Sequence, residues 1–182
     1  MQCSHPFLQL SRLLLTRTRL LRLLELSAKP TLLKWKLCTK VTTHSWSHPS
    51  GLFTLLGDAV HATLPYCAAG AGMALEDGAV LGEIFSRLPR EKRPSSRQMK
   101  HALSIYESCR CSRTHAIVQR GYLQQYLYHL KDGEEQARRD EMMKMVPTWP
   151  GEALVWRDPE FAPWLLGYDH IQDVDAHWPK RI

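Results

Sequence analysis

The chain has 182 residues, 44% hydrophobic and 23% charged, which is ordinary for one domain with a real core and unlike a low-complexity or membrane-embedded composition. Its net charge of +6 is spread along the chain rather than gathered into a basic stripe with a recognition motif, so nucleic acid is not an expected partner. The five cysteines (Cys3, Cys38, Cys67, Cys109 and Cys111) are odd in number and accompany no secretory signal, which argues against a disulfide scaffold.

Residues 1–29 form a Leu/Arg-rich segment, with Leu8, Leu10, Leu13, Leu14 and Leu15 interleaved with Arg12, Arg17, Arg19 and Arg22. The recurring arginines exclude a simple membrane span. Three readings stay open. The segment is a mitochondrial presequence, acid-poor before Glu25. It is an amphipathic helix in which residues 7–26 touch a membrane surface. Or it is a remnant of a larger domain's helix or of a wrongly chosen start. The remainder, 30–182, reads as one unit.

Thr, Val and Trp in partial alternation predict one or two strands within 31–50. The apolar run Leu52-Phe53-Thr54-Leu55-Leu56, closed by Gly57-Asp58, predicts a buried strand ending at a turn. Pro65 stops any ladder there, and Ala68-Ala69-Gly70 is a small-residue turn. From Gly70 or Ala71 a helix is expected, with Met73, Asp77, Val80, Leu81, Ile84, Phe85 and Leu88 near helical spacing. Ala74, Gly78 and Gly82 form a second stripe, small enough for another element to pack closely. Residues 89–97 are polar and read as a loop. A long helix follows from about Met99 to about Leu130, with Ala102, Tyr106, Cys109, Ala116, Leu123, Leu127 and Leu130 on its buried side and Gly121 as a weak point. Beyond Pro147 the Pro-, Trp- and Gly-rich sequence predicts irregular structure and short helices. The fold class expected is an α/β (or α+β) fragment: a short sheet remnant, a strand–turn–helix motif, a long helix and an aromatic-rich tail.

The residues that carry chemistry are Gly57-Asp58, His61, Pro65, Gly70-Ala71-Gly72 and Glu76-Asp77 in one register. A carboxylate at a strand end accepts hydrogen bonds from sugar hydroxyls, and a neighbouring glycine lets backbone approach a ligand. A helix N-terminus offers unpaired N–H groups and partial positive charge to an anion or an electron-rich carbonyl. Together they resemble the second flavin-contacting motif of FAD-dependent monooxygenases of the salicylate-hydroxylase and p-hydroxybenzoate-hydroxylase type. The likeness extends to Tyr106-Glu107, Arg110 and Arg113-Thr114, and to tail segments around Tyr128–Asp140 and Trp156–Asp169, which resemble the fungal branch. It covers about residues 30–180.

The resemblance implies FAD as cofactor and NAD(P)H as reductant, with a small organic, often aromatic, substrate hydroxylated at the expense of dioxygen. It assigns Asp58, beside Gly57, to the ribityl–phosphate region, and Pro65 with the Gly70 and Ala71 amides to the flavin ring. It nominates no catalytic base. Ala69 stands where the family commonly carries Gln, which removes one polar contact near the ring. The motif normally lies late in the chain, so the front half of such an enzyme is expected to be missing.

Other constellations are weaker. Gly70-Ala71-Gly72 is no dinucleotide fingerprint, because Leu75 fills the third glycine position and no strand directly precedes it. Asp169, His170, Asp173, Asp175 and His177 carry metal-ligand chemistry without a specific spacing, so solvated side chains are the expectation, with no metal. His61 is expected to pack or hydrogen-bond locally. No G-x-S-x-G elbow occurs. Trp149, Trp156, Trp164 and Trp178 read as packing anchors. The expected protein is a truncated cytoplasmic flavin monooxygenase, with a non-catalytic fragment or interaction module as the alternative.

Overall fold

A computed structural model describes residues 18–19, 21–23, 25–26, 36–39, 45–89, 93–145, 149–151 and 154–178. The chain divides into two compact units, Met1–Lys36 and Leu37–Ile182. In the first, the described residues from 18 to 25 are helical, and the Leu26 N–H closes the turn on Arg22 and Leu23 carbonyls at 3.3 Å. Leu21, Leu23 and Leu26 are exposed. Most of the 7–26 segment lies outside the described residues. Among the described residues no helix is long and apolar enough to cross a membrane.

The second unit is helical. α1 spans Asp58–His61, α2 Gly70–Ser86, α3 Ser96–Tyr128, α4 Glu134–Lys144, α5 Phe161–Leu166 and α6 His170–His177, with 3-10 turns at Pro65–Cys67 and Val155–Arg157. The expected sheet remnant is absent from the described residues. One antiparallel bridge, Ser47 to Thr54, is what exists of it. The expected buried strand at Leu52–Leu56 is instead an exposed extended segment: Leu52 is 81% exposed, Phe53 55% and Leu56 44%. A strand is buried by its ladder neighbours and by the layer packed on its face, and a two-stranded pair alone is marginal. The described chain supplies neither, so the apolar run remains without regular pairing. The strands expected in 31–50 fall partly outside the described residues, and 36–39 have no regular structure.

The two expected helices form close to their anticipated bounds. α3 begins three residues earlier than anticipated, at a capping box: the Gln98 N–H donates to Ser95 Oγ at 3.3 Å, and Ser95 N–H donates to Gln98 Oε1 at 2.9 Å. It runs unbroken through Gly121. A Cβ there would sit 3.4 Å from Thr63 Oγ1 and 3.8 Å from the Leu64 carbonyl, so this glycine lets the 63–67 segment lie down on the helix.

α2 and α6 pack against α3 around one apolar core that includes Trp46, Val60, Val80, Ile84, Leu103, Tyr106, Cys109 and Val174. A smaller cluster, Met73, Ile117 and Leu165, joins α2, α3 and α5. Burying each such side chain contributes roughly 1.5–3 kcal/mol. α4 buries none of its residues and is held by charge: Glu134 and Glu135 sit at its N-terminus and Lys144 at its C-terminus, as its dipole favours.

The small-residue stripe of α2 is used only at one end. Gly57 packs on Ala74, where a Cβ on Gly57 would lie 3.4 Å from that of Ala74. An added Cβ on Gly72, Gly78 or Gly82 would meet nothing within 4 Å among the described residues. Leu75 and Phe85 stand exposed on this face, Phe85 contrary to the expected burial.

Candidate functional site

The site begins with a carboxylate inside the protein. Asp77, on the buried face of α2, is 0% exposed. Its Oδ2 accepts the Gly57 N–H at 2.9 Å and lies 2.6 Å from His61 Nε2, while its Oδ1 accepts Arg110 Nε at 2.8 Å. Burial by itself pushes this carboxyl up, but the hydrogen bonds from His61, Gly57 and Arg110 outweigh it and hold Asp77 below the ordinary carboxylate range. An ionised Asp77 accepts from the ring, so His61 carries a proton on Nε2. Its Nδ1 is buried and has no partner among the described residues. His61 therefore hydrogen-bonds locally, as expected.

Glu76, the residue before it, turns to the other side of the same seam. Arg113 clasps it bidentately, Nε to Oε2 at 2.9 Å and Nη2 to Oε1 at 2.8 Å, and Arg110 Nη2 adds a third contact at 2.8 Å. Arg113 also donates to the Trp164 and Leu165 carbonyls at the end of α5. The Tyr168 ring lies over both guanidinium groups, 4.1 Å from Arg113 and 5.0 Å from Arg110. Two acids from α2 and two arginines one helical turn apart on α3 thus form a buried lattice closed by an aromatic lid. Sequence reasoning quoted all four residues but gave the arginines no role. The signal was present: an adjacent acid pair on one helix and an Arg-x-x-Arg on the next.

This lattice fixes the residue that leads into α1. Gly57 has φ 58° and ψ −142°, a conformation open to glycine, and its N–H is the one Asp77 holds. From there the chain enters α1 with Asp58 at its first position. Asp58 is exposed, and no hydrogen bond or ion pair holds its carboxylate among the described residues. The chain then runs back along α2, with Thr63 Cγ2 3.5 Å from where a Cβ of Gly70 would stand. Pro65 opens the 3-10 turn and is exposed, while Cys67 is buried beneath it. Burial also pushes the Cys67 thiol up, consistent with a packing residue rather than a nucleophile.

Ala68, at φ 49°, is the one non-glycine residue with left-handed backbone among the described residues. It hands the chain to Ala69, whose side chain gives α2 no cap hydrogen bond. The first helical bond runs from the Met73 N–H to the Ala69 carbonyl, so the Gly70, Ala71 and Gly72 N–H groups have no acceptor among the described residues. Ala71 and Gly72 are exposed. An added Cβ on Gly57 would lie 3.4 Å from that of Ala74, so the residue before Asp58 sits against the second turn of α2.

The five sequence-nominated residues therefore fall in two kinds. Gly57 is structural and buried. Asp58, Pro65 and Ala71 are exposed, and Gly70 is half-buried.

No family model matches the chain. It is 38% identical over 144 residues to the FAD-dependent monooxygenase OpS4 of Beauveria bassiana (strain ARSEF 2860), covering 79% of this chain and 33% of that protein. It is 36% identical over 140 residues to 3-hydroxybenzoate 6-hydroxylase 1 of Aquipseudomonas alcaligenes, covering 76% and 31%. It is 34% identical over 120 residues to 3-amino-4-hydroxybenzoate 2-monooxygenase of Streptomyces cremeus, covering 66% and 26%. The chain belongs to the FAD-dependent monooxygenase family. It spans about a third of the length of the curated relatives it matches.

Three donor groups outside this site also converge. Cys109 of α3 faces Asp173 and His177 of α6. Burial and the Asp173 carboxylate push the Cys109 thiol up to about 12, and burial with Glu107 pushes Cys111 up to about 11, so neither is a reactive thiolate. The rest of the expected loose cluster disperses. Asp169 caps α6 through the Ile171 and Gln172 N–H groups, and Asp175 pairs with Arg87 at 2.7 Å.

Proposed function

We propose that the chain supplies part of the flavin site of an FAD-dependent monooxygenase acting on a small aromatic, benzoate-type substrate with NAD(P)H as reductant. The observation that carries this reading is an exposed Asp58 carboxylate with no partner among the described residues, together with the Gly70, Ala71 and Gly72 amides at the start of α2, which have no acceptor among those residues. Those groups fit a flavin chemically. A carboxylate takes hydrogen bonds from ribityl hydroxyls, and helix-end amides give hydrogen bonds to an electron-rich ring carbonyl. Gly72 places no side chain in the way.

When bound, FAD supplies the redox chemistry, passing electrons from NAD(P)H to dioxygen and oxygen to the substrate. The chain's residues bind and orient. The N-terminus of α2 favours negative charge on the ring by about 0.3–1 kcal/mol, rising to roughly 2 kcal/mol where partly buried. Pro65 and the strained Ala68 hold the turn that aims those amides. Asp77 holds the Gly57 N–H and so sets where Asp58 emerges. No residue described here contributes a fingerprint for the ADP half. The names of the relatives support the substrate class: two of those named above act on hydroxybenzoates.

Flavin titration tests this reading. Riboflavin, FMN and FAD added to the 182-residue chain should each have their fluorescence changed, with affinities within a few-fold of one another, because the contacts lie on the ring and ribityl chain. No change with any of the three overturns it.

The second reading, an interaction module without cofactor, is favoured by the uncovered face of α2 at Gly78, Gly82, Leu75 and Phe85. A chain that binds no flavin yet self-associates through that face, losing association in Leu75→Lys, supports it.

A further inference from the structure

Cys109, Asp173 and His177 bring a thiol, a carboxylate and an imidazole to one point on the unit, away from the flavin-motif turn. Cys109 Sγ lies 3.5 Å from His177 Nδ1, and that same nitrogen lies 3.2 Å from Asp173 Oδ1. All three donor atoms fall within 4.8 Å of one another. Cys109 comes from the buried face of α3. Asp173 and His177 are one turn apart on α6, so they share a face.

This arrangement is not a nucleophile relay. In a relay the thiol and the carboxylate address opposite ring nitrogens, so that one takes a proton while the other gives one. Here both address Nδ1, which also lies 2.9 Å from the Asp173 carbonyl. Convergence of three unlike donors on one point is the geometry of cation ligation.

The distances agree. With a zinc–sulfur bond of about 2.3 Å and zinc–nitrogen or zinc–oxygen bonds of about 2.0–2.1 Å, tetrahedral angles require S···N of about 3.6 Å and N···O of about 3.3 Å. A neutral imidazole, a thiolate and a carboxylate carry two negative charges between them, which a divalent ion neutralises. The Asp173 carboxylate is already oriented, because Tyr168 donates its hydroxyl to Oδ2 at 2.6 Å and leaves Oδ1 facing the histidine. A cavity of about 670 Å³, lined also by Ser112, Trp164 and Gln172, opens beside the three residues and leaves room for a fourth ligand.

We propose that Cys109, Asp173 and His177 form a zinc-class cation site that clamps α6 to α3, with water in the fourth position. Binding displaces the thiol proton to solvent and moves the imidazole proton from Nδ1 to the outer Nε2, while the His177–Asp173 carbonyl contact is given up. Through Tyr168 the clamp abuts the Arg110–Arg113 lattice. Occupancy therefore steadies the lid over that lattice without entering the flavin site.

Cobalt(II) added to the metal-free 182-residue chain tests the site. One equivalent should produce the near-ultraviolet thiolate-to-metal band and visible bands of tetrahedral cobalt, and zinc should abolish them. Cys109→Ser should remove the thiolate band, whereas Cys38→Ser and Cys111→Ser should keep it. His177→Gln, at a half-exposed position that leaves the core untouched, should weaken binding by tenfold or more, and Tyr168→Phe by about tenfold as an outer-shell change. Circular dichroism of His177→Gln and Tyr168→Phe separates a lost ligand from a lost fold. Absence of the thiolate band under excess cobalt overturns the proposal. So does a band that survives both Cys109→Ser and His177→Gln.

Discussion

Asp77 and Arg110 meet carboxylate to Nε at 2.8 Å with neither side chain exposed to solvent, and the pair ties α2 to the middle of α3. The same carboxylate holds Gly57. One buried acid therefore links the packing of two helices to the placement of Asp58.

Removing one partner leaves the other charged and buried. Arg110→Ala should destabilise the chain by about 3–5 kcal/mol, which is a large part of a typical domain's 5–15 kcal/mol. Asp77→Asn should cost somewhat less, because Glu76 still faces Arg110. The joint Asp77→Leu, Arg110→Met variant should recover part of the loss. Urea midpoints of the three variants check the order, and a null effect of Arg110→Ala would contradict the buried pairing.

The folded-state values of Asp77 and Asp158 both lie below the ordinary 3.8. Burial raises each, and hydrogen bonds with a nearby cation outweigh it: His61, Gly57 and Arg110 at Asp77, and the Phe161 and Glu160 N–H groups with Arg120 at Asp158. A carboxyl that ionises more readily when folded adds stability above its unfolded value, and that stability is lost as pH falls through the folded one. The urea midpoint should stay level from neutral pH down to about pH 4, then fall. In Asp77→Asn the fall should be shallower from a lower plateau.

Gly57 and Gly82 should respond oppositely to alanine. Gly57→Ala places a Cβ against Ala74 at a φ of 58° and should cost on the order of 1–3 kcal/mol. Gly82→Ala meets open space inside a helix and should stabilise the isolated chain by about 0.5–1 kcal/mol. Thermal denaturation of both variants checks the pair. A destabilising Gly82→Ala would mean that something covers Gly82.

The helices were legible because their apolar residues keep a 3.6 period over many turns: Met73, Val80, Leu81 and Ile84 on α2 are all buried as expected. The strand at Leu52–Leu56 was misread because a short apolar run states that a segment can be buried, not what buries it. The lower half of α3 was misread for a related reason. The spacing puts Leu123 and Leu127 on the buried side, whereas Leu123 is exposed, Leu127 is half-buried, and Arg113, Thr114 and Gln124 are buried there. Charged and polar residues go inside only when partners wait there, and those of Arg110, Arg113 and Gln124, which are Asp77, Glu76 and the Val155 N–H, lie 30 or more residues away in sequence. The start of α3 could have been read: Ser95 and Gln98 carry the capping-box spacing within what looked like loop. Of the nominated site, the roles of Asp58, Gly70 and Ala71 came from resemblance, while the reason Gly57 sits beside them became visible only through Asp77.

Backbone amide shifts on flavin addition address Asp58 and the start of α2 directly. In a nitrogen-15 correlation spectrum, FMN should move the Gly70, Ala71, Gly72 and Asp58 amides most. Asp58→Ala should weaken those shifts while changing stability by less than about 0.5 kcal/mol. Shifts confined to other parts of the chain, or none at saturating FMN, would contradict the proposed flavin site.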